Sequence, residues 1–137
     1  MSIDNRLAGK VAIITGASKG TGAIMGQQFA QAGARVLMVA RNEEAVMESA
    51  EAAGNGAIGM RTDVTNESDV AAMVDRALAE WGQVDILLNN AVIPGQDLHV
   101  WEQTLENWNE VFAICITAPM LASREVLKRS MLERRTG

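Results

Sequence analysis

Hydrophobic residues along the chain form two alternating patterns. Four short apolar runs rich in β-branched residues, at 11–15, 35–40, 57–62 and 84–89, predict strands. Segments with helical spacing separate them and predict helices over 21–32, from the N-cap Asn42 to Gly54, and over 70–81. Strands that alternate with helices are typical of an α/β fold with a parallel sheet and helical crossovers.

The predicted helices have apolar residues that we expect to face the sheet. In the first helix these are Ile24, Phe29 and Ala32, before Gly33. In the third, before Gly82, the inward positions fall at i, i+3, i+4, i+7, i+8 and i+11: Val70, Met73, Val74, Ala77, Leu78 and Trp81.

The last segment predicts a long helix from about 104 to 132. Apolar residues cover a wide arc of it: Leu105, Trp108, Phe112 and Cys115 on one face, with Val111, Ile114 and Ala118 beside them. So wide an arc predicts burial on more than one side. Pro119 supplies no amide hydrogen and is expected to kink or interrupt this helix.

Composition narrows the function classes. The 137 residues, 48% of them hydrophobic, suit one domain over 1–137. A net charge of −5 with scattered cations disfavours a nucleic-acid surface, and no apolar run is long enough for a membrane span. One cysteine and one histidine make a metal centre a poor prediction. We expect a soluble, cytoplasmic protein.

The stretch TGASKGTG, residues 15–22, joins the first predicted strand to the first helix. Such a turn presents backbone amides to an anion, with the positive end of the helix dipole behind them. Gly16 would permit the sharp turn, Gly20 the approach of a diphosphate, and Gly22 close packing of the helix on the sheet. The alternative is a glycine-rich turn that binds nothing.

Two further features fall at the carboxyl ends of predicted strands. Asp63 follows the third strand, and NNA at 89–91 follows the fourth. Open parallel sheets bind ligands at this edge, although Asp63 and Asn90 could equally cap loops. The spacing of a Walker nucleotide-binding loop is absent, since Thr21 stands where its second glycine is required.

These residues together resemble the short-chain dehydrogenase/reductase family over almost the whole chain. Its TGxxxGxG is TGASKGTG here, its DVT is 63–65, its NNAG is NNAV at 89–92, and its WxxVxxxNxxAP is 108–119. The resemblance implies a Rossmann-like, doubly wound parallel sheet that binds NAD or NADP. It places Asp63 and Val64 at the adenine and Asn90 and Ala91 near the ribose. Thr15 would tie the glycine turn to the NNA loop.

The predicted cofactor-binding residues are Thr15, Gly16, Ser18, Lys19, Gly20, Thr21, Gly22, Arg41, Asp63, Val64, Asn90 and Ala91. NAD enzymes usually carry an acid at the end of the second strand, whereas a 2′-phosphate requires cations. Here Ala40 takes that place, Arg41 follows, and Lys19 precedes Gly20. We therefore predict NADP(H) as the preferred cofactor, with NAD(H) as the alternative.

The catalytic groups that the family implies are missing from this chain. Family members use a Ser, a Tyr and a Lys in YxxxK, with an Asn in the preceding helix, because hydride transfer requires a proton donor or acceptor. The chain has no tyrosine, and Cys115 stands where the asparagine belongs. Cys115 itself is expected to be a packing residue. Val92 replaces the last glycine of NNAG and is expected to lower cofactor affinity. No residue of this chain is predicted to be catalytic.

The resemblance also implies a longer protein. Strand order in such sheets runs 3-2-1-4-5-6-7, so the fourth strand would become an edge here. Three interpretations stay open: the NADP-binding portion of an enzyme that acts on a small carbonyl or alcohol, a noncatalytic subunit that assembles with a catalytic chain, and a degenerate product without function. For the first two we predict a homo- or hetero-oligomeric contact through the 104–132 helix.

Overall fold

A computed structural model describes residues 4–137 and contains one parallel sheet of four strands. The strands are β1 (Val11–Thr15), β2 (Arg35–Ala40), β3 (Ile58–Arg61) and β4 (Ile86–Leu88). Their order is β3-β2-β1-β4, and in register Ile14 lies between Met38 and Leu88. The predicted α/β class is confirmed, and β4 is an edge strand as expected.

Helices cover both faces of this sheet. Helices α1 (Gly20–Gln31) and α2 (Glu43–Ala53) pack on one face, and α3 (Glu67–Trp81) packs on the other. Asn42 caps α2 as predicted, because its side chain accepts a hydrogen bond from the Ala45 amide. Asn66 caps α3 in the same way, so α3 begins one turn earlier than predicted. Helices on both faces make the sheet doubly wound.

The prediction that Ile24 faces the sheet is wrong. Ile24 is 56% exposed, whereas the buried residues of α1 are Gly22, Gly26 and Ala30. A Cβ at Gly26 would lie 2.7 Å from the sulfur of Met38 on the sheet. The helix therefore approaches the sheet along a face of small residues, which turns Ile24 toward solvent.

The last helical segment runs without a break over 105–134. It consists of α4 (Leu105–Phe112), a π-helical segment (Ala113–Thr117), α5 (Ala118–Val126), a second π-helical segment (Leu127–Met131) and α6 (Leu132–Arg134). The interruption expected at Pro119 takes the form of the first π-helical segment, in which the Ala118 amide donates to the carbonyl of Ala113.

Within residues 4–137, one side of this long helix is covered and the other is exposed. Leu121, Ala122 and Val126 join the core formed with α3. The opposite side is an exposed stripe of seven residues: Leu105, Trp108, Phe112, Ile116, Met120, Leu127 and Leu132. The expectation of burial on more than one side is therefore wrong for an isolated chain.

A buried ionic contact joins the end of the long helix to the sheet. Asp85 is 3% exposed and accepts hydrogen bonds from the Val11 amide at 2.8 Å and the Gln83 side chain at 2.8 Å. Its other oxygen accepts from Arg134 at 2.8 Å. The contact lies at the amino ends of the strands, opposite the predicted site, and fixes β1, β4 and the long helix to one another.

Candidate functional site

A cleft of about 690 Å³ opens at the carboxyl ends of the strands. It lies where the crossovers from β1 and β4 diverge to opposite sides of the sheet, the usual position of a ligand in such folds. All of the predicted cofactor-binding residues except Thr15 line this cleft: Gly16, Ser18, Lys19, Gly20, Thr21, Gly22, Arg41, Asp63, Val64, Asn90 and Ala91. The structure thus brings together residues from four separate loops.

The glycine turn is held against the loop that follows β4. Gly16 has φ +63°, and a Cβ there would lie 2.8 Å from the Cα of Ala91. A Cβ at Gly22 would lie 2.6 Å from the side-chain nitrogen of Asn90. Gly20 differs, because it needs glycine for its φ of +58° while the space beside it is open to 4 Å. An anion can therefore approach the turn at Gly20.

Thr15 connects the two loops, as predicted. Its hydroxyl oxygen accepts from the Asn90 and Ala91 amides, both at 3.0 Å. The Asn90 side chain returns two bonds, to the carbonyls of Thr15 at 3.0 Å and Gly16 at 3.2 Å. Thr15 is 2% exposed and lies behind the cleft, so its part in the site is to fix the loops.

The amino end of α1 provides unpaired donors beside the turn. The first four amides of a helix have no intrahelical acceptor, and the N-cap Lys19 makes no side-chain capping bond within the described chain. These amides and the helix dipole favour a negatively charged group. A glycine that leaves the approach open, Gly20, and amides without a cap are features that suit a diphosphate.

Two cations line the cleft. Lys19 and Arg41 are both exposed and both line it, while Ala40 at the end of β2 is almost buried. Hydrogen bonds from Thr65, followed by the charges of Arg41 and Arg61, outweigh burial and hold the pKa of Asp63 below its usual value. Asp63 is therefore ionised at neutral pH.

Asp63 also has the loop-capping role weighed above as the alternative. One of its oxygens accepts from the Thr65 amide at 3.0 Å and the Thr65 hydroxyl at 2.7 Å. The Asp63 amide donates to Asp69 at 2.9 Å, a contact that the sequence did not reveal. Asp63 is thereby fixed at the rim with Val64, and a structural role does not conflict with one in binding.

Comparison with known families decides the identity. The family model for short chain dehydrogenases matches residues 10–137. The chain belongs to the short-chain dehydrogenase family.

Three relatives show how far the similarity extends. Cis-4-hydroxycyclohexanecarboxylate dehydrogenase of Sinomonas cyclohexanicum is 37% identical over 123 residues, which are 88% of this chain and 49% of that protein. A 3-ketoacyl-(acyl-carrier-protein) reductase from Brucella melitensis, solved with NADH, matches 90% of this chain and 50% of its own at 34% identity and a TM-score of 0.86. A metagenomic short-chain oxidoreductase, solved with NADP, matches 96% and 60% at 30% identity and a TM-score of 0.88. This short-chain dehydrogenase chain spans about half the length of the curated relatives it matches.

Three side chains that could donate or accept a proton, Cys115, His99 and Lys128, do not line the cleft. Cys115 is half-buried, and its thiol donates a weak bond to the Ile93 carbonyl at 3.7 Å. His99 stacks on Trp101 with ring centroids 4.6 Å apart, and Lys128 is exposed on the second π-helical segment. Neither His99 nor Lys128 lines the cleft. No other side chain among residues 4–137 pairs with Cys115 as a base.

Val92, which stands in place of the last glycine of the family's NNAG motif, lines the cleft. Its side chain is 70% exposed and lines the cleft beside Ala91. The loss of cofactor affinity expected from Val92 stays a prediction.

Two further observations concern membrane-spanning helices and metal sites. Over residues 4–137 no helix is both long and apolar enough to cross a bilayer. Nor does that part of the chain gather three potential metal-ligating side chains in one place. The cytoplasmic location stays a prediction.

Proposed function

We propose that this chain is the NADP(H)-binding portion of a short-chain oxidoreductase that reduces carbonyls or oxidises alcohols. The observation that carries the proposal is the cleft, where the open glycine turn, two cations and an ionised carboxylate meet at the switch point of the sheet. Solved relatives with NADH and with NADP support a dinucleotide as its ligand.

Each part of the cleft suits one part of the cofactor. The amides of the turn and of α1 would bind the diphosphate, and Lys19 and Arg41 the 2′-phosphate. Asp63 and Val64 would bind the adenine, and Asn90 and Ala91 would lie near the ribose. When bound, the nicotinamide would give a hydride to a carbonyl or accept one from an alcohol.

The reaction also needs a group that donates a proton in carbonyl reduction or accepts one in alcohol oxidation. A phenol with its pKa lowered by a lysine is the usual donor in the family, and this sequence contains no tyrosine. We infer that a further segment or a companion chain supplies the Ser, Tyr and Lys, and that the chain alone does not turn over substrate.

Replacing the two cations tests the preference for NADP(H). Lys19→Ala and Arg41→Ala are each expected to weaken NADPH binding about tenfold or more, because each removes a charge-assisted hydrogen bond to the 2′-phosphate. NADH binding should hardly change, since NADH lacks that phosphate. Isothermal titration of each variant with both cofactors measures the two affinities.

Arg76→Ala is the matched control for that comparison. Arg76 is an exposed arginine of α3 that pairs with Glu80 and does not line the cleft. If the wild-type chain binds NADH more tightly than NADPH, the preference assigned to Lys19 and Arg41 is wrong.

A second candidate function rests on the exposed stripe. Seven apolar residues along the long helix are exposed in the part of the chain that the structure describes, which is typical of a surface buried by another subunit. A noncatalytic subunit that assembles with a catalytic relative through this stripe would also accommodate Cys115 and Val92. The two functions share the same contact, which is homo- or hetero-oligomeric.

A charge on the stripe should disrupt that contact. We expect the wild-type chain to sediment as an oligomer at micromolar concentration, and Ile116→Glu to sediment as a monomer, because a carboxylate cannot be buried there unpaired. Ile24→Glu is the control, since Ile24 is 56% exposed on α1 and Ile116 is 59% exposed. Monomeric wild-type protein in analytical ultracentrifugation would rule out self-association.

A further inference from the structure

One wall of the cleft is formed by the segment that follows β4, and a buried side chain of α4 is bonded to the end of it. The wall consists of Val92, Ile93 and Pro94 and is called the β4 wall. Asn107, in the first turn of α4, is 5% exposed, and its side-chain oxygen accepts from the Gln96 amide at 2.8 Å. The chain just beyond the β4 wall is therefore fixed to α4.

Few other contacts hold this segment. In the described part of the chain, the backbone of residues 92–98 makes two hydrogen bonds, of which the first is the one from Gln96 to Asn107. The second is the bond that the Ile93 carbonyl accepts from the Cys115 thiol at 3.7 Å. A thiol is a weak donor, so Asn107 provides the stronger of the two contacts.

The β4 wall is fixed at both ends. At its start, the Ala91 amide donates to the Thr15 hydroxyl at 3.0 Å. At its end, Gly95 has φ +73° and packs on α4, where a Cβ would lie 2.7 Å from a methyl carbon of Val111 and 3.0 Å from the side-chain oxygen of Asn107. Only the three residues of the β4 wall separate these ends, so a shift at the second end moves the wall itself.

We propose that Asn107 is a positioning residue of the cofactor cleft, and that it acts by holding the Gln96 amide and thereby fixing the β4 wall. The inference rests on the proposed binding of NADP(H). Asn107 does not line the cleft, so it acts through the wall and not by touching the cofactor. A wall that is already in place spares the ligand the cost of ordering it, and loss of the anchor is therefore expected to lower affinity.

Two variants separate this positioning from general stability. Asn107→Ala removes the acceptor of the Gln96 amide and is expected to weaken NADPH binding about tenfold in isothermal titration. Thr104→Ala is the matched control, because the Thr104 hydroxyl accepts from the Asn107 amide at 3.1 Å and caps the same turn of α4. Its loss should destabilise that turn but keep the acceptor for Gln96, so NADPH affinity should hardly change.

A variant on the loop side covers the case in which Asn107→Ala does not fold. Gly95→Ala leaves Asn107 intact, but its methyl group would meet Val111 and displace the loop, so NADPH binding should weaken to a similar extent. Gly9→Ala is the control for the strain of a positive φ. Gly9 has φ +76° with no neighbour within 4 Å and does not line the cleft, and its substitution should leave the affinity unchanged.

The position of the β4 wall can also be followed without cofactor. In ¹⁵N-labelled, ligand-free protein, the amide resonances of Val92 and Ile93 should shift or broaden in Asn107→Ala and keep their wild-type positions in Thr104→Ala. Unmoved Val92 and Ile93 amides in Asn107→Ala, or equal weakening of NADPH binding by Asn107→Ala and Thr104→Ala, would overturn the role of Asn107. If these amides respond as expected but the wild-type chain binds no NADPH, Asn107 still fixes the wall and the proposed function fails.

Discussion

A chain carrying Gly22→Ala is expected to lose both stability and NADP(H) binding. A Cβ at this position would lie 2.6 Å from the Asn90 side chain and 2.9 Å from the carbonyl carbon of Gly16. Neither group can move freely, because Asn90 bonds to the carbonyls of Thr15 and Gly16. We expect the free energy of unfolding to fall by about 2–4 kcal/mol, which urea denaturation measures.

The same substitution should abolish cofactor binding, since the turn and the loop after β4 must separate to admit the methyl group. Titration with NADPH at a temperature where the variant stays folded measures this loss.

Substitutions at two other glycines distinguish a loss of stability from a loss of cofactor binding. Gly82→Ala, at the carboxyl end of α3 with φ +75° and no neighbour within 4 Å, should cost about 1–2 kcal/mol and leave binding intact.

Gly20→Ala should cost a similar amount of stability, because its φ is +58° and its surroundings are open. Unlike Gly82→Ala, it should weaken NADPH binding strongly, since its methyl group enters the approach to the turn. If all three variants bind NADPH equally well, the glycine turn does not hold the cofactor.

The sequence was sufficient for the architecture because the signals for it are local. Alternating apolar runs predicted all four strands, and Asn42, Gly54 and Gly82 marked helix ends that the structure shows. Such signals depend on neighbouring residues, and each helix or strand carries its own. The orientation of Ile24 was predicted wrongly because it depends on how closely α1 approaches the sheet. That distance is a property of the whole fold and not of neighbouring residues.

The same distinction between local signals and long-range contacts applies to the candidate site. The residues that line the cleft could be predicted, because the ends of parallel strands meet at one edge and each end carries its own motif. Of the residues that hold them, Thr15 was predicted from the family resemblance, whereas Asp69, which accepts from the Asp63 amide, was not. At the opposite end of the sheet, Asp85 lies 74 positions from the Val11 amide, from which it accepts a hydrogen bond. No periodicity or spacing reveals a pair that only the folded chain brings together.

Asp85→Ala is the second variant with a large expected effect. It should lower the free energy of unfolding by about 3–5 kcal/mol, because it leaves the partly buried Arg134 and the Val11 amide without their acceptor. Urea denaturation at neutral pH measures the loss. Asp75→Ala is the control, since Asp75 pairs with Arg129 but is 65% exposed, and an exposed pair contributes about 0–1 kcal/mol.

The effect of Asp85→Ala should also depend on pH. Burial alone would raise the pKa of Asp85, but hydrogen bonds from Arg134, the Val11 amide and Gln83 outweigh it and hold the pKa below its usual value. The unfolded chain then takes up this proton more readily than the folded one, so the stabilisation is complete above about pH 5 and is lost as the pH falls below about 4. The stability gap between wild type and variant should narrow over that range. A gap of constant size down to the acid limit of folding would mean that packing at Asp85, and not its charge, joins the long helix to the sheet.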